Sequence, residues 1–225
     1  MTERYTRRAE ASGWLSVRLT KGGQLTSLCE YTKVTVIRET LDRTFFTIAD
    51  GFISVGEEAS LSKANAARYL SVTGPGGPAT LTVTYKGAPS HEDSPFKGRL
   101  LQQWAELSFG GQKATVTLNS VWNASFTPVP PGMHAILAPD YSHKAISTAG
   151  YAQATPGMIG NDVWFPIGLS GALVNSSRYV HVGHLSDGCV TVHQLERWTA
   201  IYEYLISHRV PGSGGKRVGF LVVKK

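Results

Sequence analysis

The chain reads as a mainly β protein with a few helices. Three observations predict this. Period-two alternation dominates the first half, and glycine (24) and proline (11) gather in clusters that punctuate it. A helical apolar stripe appears clearly at one place only, near the C-terminus.

The alternating segments come in order. Residues 14–19, 33–37 and, more loosely, 44–48 fit half-buried strands. Clearer are 79–85 and 114–118, where threonine occupies one face and Leu or Val the other, as in an antiparallel strand with one buried face. Lys21-Gly22-Gly23, Gly74-Pro75-Gly76-Gly77-Pro78 and Gly110-Gly111 mark turns between them. Residues 62–70 fit a short helix, and 100–107 fit either helix or strand. The stretch 86–97 is polar and turn-rich, which divides the chain into a β-rich N-terminal region, 1–97, and a second domain, 98–225. The competing reading is a long loop inside one sandwich-like domain.

In the second half, residues 127–132 form a proline-rich turn leading into 133–137. Residues 141–158 are loop-like, 164–167 are apolar but broken by Pro166, and 179–183 read as a short strand. Leu195, Trp198, Ile201, Tyr202, Leu205 and Ile206 share one helix stripe, with Thr191 and Gln194 in capping-box relation at its start. Pro211 and Gly212 end that helix, and 218–223 form a last buried strand.

Composition narrows the function. At 225 residues, 42% apolar and 17% charged, with five tryptophans and nine tyrosines, the chain is not of the disordered class. No apolar run is long enough for a spanning helix, and the polar, charged start is not a Sec leader. Two cysteines, Cys29 and Cys189, make no disulfide framework, although one bridge between them is possible. The net charge of +6 suits an acidic polymer or anionic surface. The basic residues are scattered and not interleaved with aromatics, so a nucleic-acid groove is not expected.

The segment from Tyr179 to His193 holds the chemistry. Cys189 follows Gly188 and precedes the expected helix, where orphan N–H groups favour a thiolate and can hold an oxyanion. Gly188 leaves room for a substrate backbone. His181, at the end of a strand, is a candidate base or ion-pair partner for the thiolate. Ser186 is placed to orient the loop.

Ser186-Asp187-Gly188-Cys189-Val190-Thr191 resembles the nucleophile signature of L,D-transpeptidases of the YkuD type. Pro131-Gly132-Met133-His134-Ala135-Ile136 is similar to the family's run into a strand, and His181-Val182-Gly183 to its His-Gly pair. The resemblance covers about residues 114–223. It implies a YkuD-like β-sandwich or barrel catalytic domain, with Cys189 as a nucleophile that forms a thioester with peptidoglycan stem peptides. It implies His181 as the proton-transferring residue and N–H groups at Gly188 and Cys189 as oxyanion donors. His143, Tyr179, Asp187, Trp164 and His184 are the candidate cleft and substrate contacts, His143 being also the rival base. The chain departs from the family pattern in three ways: only eight residues separate His181 from Cys189, Asp187 stands where histidine is common, and Thr191 stands where arginine often follows. This short loop resembles divergent members delivered as antibacterial toxins by contact-dependent secretion. The implied place of action is the periplasm or cell wall, reached without a Sec leader, with a secretion apparatus or an immunity protein as further partners. No metal or organic cofactor is required.

Two other readings stand beside it. A zinc site could draw on His181, His184, Cys189 and His193. A non-catalytic module could bind cell-wall polymer through its basic surface. Cys29, His91, His134 and His208 are assigned no chemistry.

Overall fold

A computed structural model describes residues 2–123, 126–146 and 148–225. The first sheet holds β1 (Thr2–Thr6), β2 (Trp14–Leu19), β3 (Leu25–Cys29), β4 (Lys33–Glu39), β5 (Arg43–Ile48), β6 (Glu58–Ser62) and the short β7 (Leu70–Ser71). Its order is β3-β2-β6-β5-β4-β1-β7, antiparallel throughout. Alternation places Leu15, Val17, Leu28, Val34, Phe46 and Ile48 in one core, which Ala66 of helix α1 (Lys63–Tyr69) completes. Ser62 starts that helix by accepting a 3.2 Å bond from the Asn65 amide, one of the N–H groups a helix cannot satisfy internally.

After β8 (Ala79–Tyr85) comes a hairpin, β9 (Ser90–Ser94) and β10 (Gly98–Gln102). Then follow β11 (Trp104–Phe109), β12 (Gln112–Thr117), β13 (Gly132–Leu137), β14 (Phe165–Gly168), β15 (Tyr179–Val182), β16 (Val190–Val192) and β17 (Arg217–Lys224). With β8, these close an eight-stranded barrel in the order β11-β12-β16-β15-β14-β13-β17-β8. Helices α2 (Ala149–Ala154) and α3 (Trp198–Ile206) complete the chain. The protein is mainly β with few helices, as its alternation predicts. Among the described residues no helix is long and apolar enough to cross a membrane.

Sheet membership changes earlier in the chain than the expected division at 97/98. Ala79, Leu81 and Val83 are fully buried, and their strand pairs with β17 and β11. The sheets therefore part between Ser71 and Ala79. The polar stretch 86–97 contains β9 and the turn into β10, beside the barrel. The ambiguous 100–107 segment is the end of β10 followed by β11, and the loop-like 141–158 stretch contains α2.

The two sheets are joined by buried polar contacts. Glu30 is paired at 2.7 Å with Arg8 and accepts a 2.8 Å bond from the Tyr202 hydroxyl of α3, while Arg209 donates to its carbonyl at 3.0 Å. Trp14 and Cys29 turn away from their own sheet's core and pack into the barrel cluster. The N-terminal sheet thus braces the helix that lies against the barrel.

Two of the barrel's pairings are parallel: β17 with β8, and β15 with β16, in which His181 faces Thr191. Parallel neighbours usually need a connection of a dozen residues or more. Here residues 183–189, seven in all, carry the chain from the end of β15 back to the start of β16. That tight return is the segment ending in Cys189.

Candidate active site

Val180, Val182, Val190 and Val192 belong to the barrel core. Alternation therefore turns Tyr179, His181, Cys189 and Thr191 to the outer face. Trp164, just ahead of β14, covers this face; its indole stacks on His181 at 4.1 Å between centroids. His143 stacks on Trp164 at 4.4 Å, with their planes 9° apart. Tyr141 lies against His143, and Tyr179 meets His143 edge-on. Two imidazoles thus sandwich one indole.

Cys189, His181, Trp164 and Asp187 line a common cavity of about 180 Å³, together with Tyr151, Thr148 and Lys97. Asp187 Oδ1 and Trp164 Nε1 are buried with no hydrogen-bond partner among the described residues. Such groups cost free energy unless something bonds to them. Lys97, exposed on the hairpin turn, adds a cation at the edge.

The crossover loop is pinned at several points. Ser186 Oγ donates to the Cys189 carbonyl at 2.9 Å, the Ser186 amide donates to Ser120 Oγ at 3.0 Å, and the Ser120 amide donates to the Ser186 carbonyl at 2.8 Å. Gln102 Nε2 holds the His184 carbonyl at 2.9 Å. Gly188 adopts φ +77°. A Cβ there would overlap the Thr127 carbonyl. The glycine is required by the chain's own packing, a different reason from the substrate approach expected of it.

The helix expected from its apolar stripe forms, as a 3₁₀ turn at Leu195–Arg197 leading into α3, but it does not start directly after Cys189. Val190-Thr191-Val192 pairs with β15 on one side and β12 on the other, and α3 begins only at Trp198. β-branched residues in a barrel gap gain more from pairing than from helix, so tertiary context overrides the cap signal. Thr191 bonds His181 instead, and Gln194 Oε1 accepts from the Thr115 amide. Cys189 thus lacks a helix dipole. It is 7% exposed, and burial pushes its thiol up to about 11, reinforced by Asp187 and opposed by the Tyr179 backbone and Arg178. Both cysteines are free and buried, so the possible bridge is not made.

His181 is buried, and this holds its pKa down at about 4, opposed by a bond to the Val182 backbone and aided by His143. Its Nδ1 lies 2.9 Å from the Val182 carbonyl, which can only accept, so the proton sits on Nδ1 and the lone pair on Nε2. That is the general-base form. In the free protein Thr191 Oγ1, 3.1 Å away, donates to this lone pair. Thiol and imidazole are both neutral at rest.

The burial of His181 makes stability pH-dependent. The unfolded chain takes up a proton near 6.5 and the folded one only near 4, so between these values the unfolded state holds more protons. The contribution of His181 is full above pH 6.5 and is lost as pH falls toward 4, by about 3 kcal/mol. Urea unfolding at pH 7 and pH 4 checks this; His181→Asn should reduce the difference, leaving the part contributed by His184, which burial also holds down at about 4, and an unchanged difference would contradict it.

The other expected residues divide. His143 is 2% exposed with both ring nitrogens unpartnered and Asp140 at 3.7 Å, so it supports Trp164 from behind rather than lining the cavity. Tyr179 is also behind it, its hydroxyl accepting from Asn175 at 2.7 Å. His184 turns away from Cys189, toward Ser94 at 2.9 Å and onto His193. The expected zinc set of His181, His184, Cys189 and His193 is therefore split between two sites. Sequence reasoning missed Lys97, Tyr151 and Thr148 in the cavity, and Glu92 beside His193.

No protein family, curated protein or solved structure matches this chain.

Proposed function

We propose that the protein is a cysteine acyltransferase acting on peptidoglycan stem peptides in the cell wall, with Cys189 as nucleophile. The observation that carries this reading is the cavity shared by Cys189 and His181. Lys97 suits the carboxylate of a terminal amino acid.

The chemistry begins from a neutral pair. The Thr191 hydroxyl turns off Nε2 of His181, which takes the thiol proton as Sγ bonds to the carbonyl carbon of a stem-peptide amide. N–H groups of Gly188 and Cys189 hold the oxyanion. Collapse breaks the C–N bond, and the imidazolium gives its proton to the leaving amine, typically that of D-alanine. An acceptor amine, or water, then attacks the thioester and yields its proton through His181, and Sγ leaves as the thiol. An amine gives a crosslink or exchange; water gives carboxypeptidase activity.

In a second reading the protein is a polymer-binding module without catalysis: burial holds the Cys189 thiol up at about 11, against thiolate chemistry. Mass spectrometry of purified muropeptides incubated with wild type and Cys189→Ala separates the two. Loss of terminal D-alanine, exchange or a new crosslink is expected with wild type alone. Unaltered muropeptides with both proteins would overturn the acyl-transfer reading.

A further inference from the structure

A second cluster lies on the other side of the crossover loop, beyond the cavity just described. Glu92 comes from β9, His184 from the loop and His193 from the residue following β16, and one donor atom of each lies within 4.8 Å of the others. His193 Nε2 is 2.8 and 2.9 Å from the two carboxylate oxygens of Glu92. The His184 ring stacks on that of His193 with centroids 3.7 Å apart.

These side chains are held by a further layer of contacts. Ser94 Oγ sits 2.9 Å from His184 Nδ1, and itself accepts from the Phe96 and Lys97 amides. Gln102 Nε2 donates to Glu92 Oε2 at 3.2 Å. Trp104 meets His193 edge-on, and Phe96 meets His184 likewise. Ligating histidines and carboxylates are characteristically oriented by such partners. His184 and His193 line an open groove of about 620 Å³ together with Thr155 and Glu196, which leaves room for a further ligand.

We propose that Glu92, His184 and His193 bind one divalent transition-metal ion, with an open position toward this groove. Two imidazole nitrogens and a carboxylate suit zinc, and three protein ligands with a vacant fourth position are the pattern of a zinc ion able to hold water or substrate. The ion would also tie the β9–β10 hairpin to the loop that carries Cys189. Cys189 is not a ligand, and the site stands whether or not Cys189 performs acyl transfer.

The test uses the full chain, stripped by chelator and titrated calorimetrically with Zn²⁺, and separately with Co²⁺ followed by absorption. One ion per chain is expected, with Glu92→Gln and His193→Gln each weakening it by about 100-fold, at the upper end even of second-layer effects. Cys189→Ala should bind as wild type does, and the Co²⁺ form should show visible d–d bands without a thiolate charge-transfer band. The Co²⁺ spectrum of the wild type remains decisive if a variant does not fold. Absence of stoichiometric binding, affinity untouched by both ligand substitutions, or a thiolate band would overturn the proposal.

Discussion

His181→Asn is expected to lower the turnover of muropeptides by about 10²- to 10⁴-fold, the range that a positioned general base contributes. Asparagine retains a polar group beside Thr191 but offers no basic lone pair at the Nε2 position. Proton transfer is especially demanding here, because the thiol sits near 11 and the imidazole near 4, so no ion pair exists before substrate binds. The base has to act during attack. The effect should fall on kcat, with KM little changed, since Trp164, Asp187 and Lys97 remain to hold the substrate. Single-turnover kinetics provide the measurement. Full turnover in the variant would transfer the role of base to another group.

The second large effect is expected at Gly188, whose role is conformational. Its φ of +77° is a region that a side chain disfavours by about 1–2 kcal/mol. A methyl group would in addition meet the Thr127 carbonyl, itself held at 3.0 Å by Arg178 Nε. Gly188→Ala should cost about 2–4 kcal/mol in all, by backbone strain together with displacement of packed atoms. Because the loop is fixed by Ser186 and Ser120, it cannot yield without moving Cys189. Denaturant unfolding and thiol alkylation measured on the same variant should report lower stability and a faster-reacting Cys189. Wild-type values for both would show that the loop accommodates the side chain.

Much of the barrel could be read from local pattern, and the hairpin beside it could not. Ala79–Tyr85 shows threonine and aliphatic residues on opposite faces because one face is core, and the strand forms where alternation places it. The β9 strand, Ser90–Ser94, is polar on both faces and carries no such signal, yet it brings Glu92 to a histidine 101 positions away. Pairing of this kind depends on register between distant strands. The same competition explains the missing helix start: Thr191 and Gln194 have cap spacing, but β12 and β15 claim the intervening residues. The cysteine–histidine neighbourhood was legible because His181 lies on β15 and Cys189 ends the seven-residue connection from β15 to β16. Its protonation state was not, since burial by Trp164 and the far side of the cavity leaves no trace in a local motif.

Cys189 nucleophilicity is tested most directly by trapping the intermediate. Wild-type protein mixed with a stem tetrapeptide and quenched in acid within the first turnover should carry a mass increment equal to the peptide acyl group. After proteolysis, that increment should map to the fragment containing Cys189 and be released by hydroxylamine, as a thioester is. A quenched protein of unmodified mass while product accumulates, or an adduct on any other residue, would contradict the account.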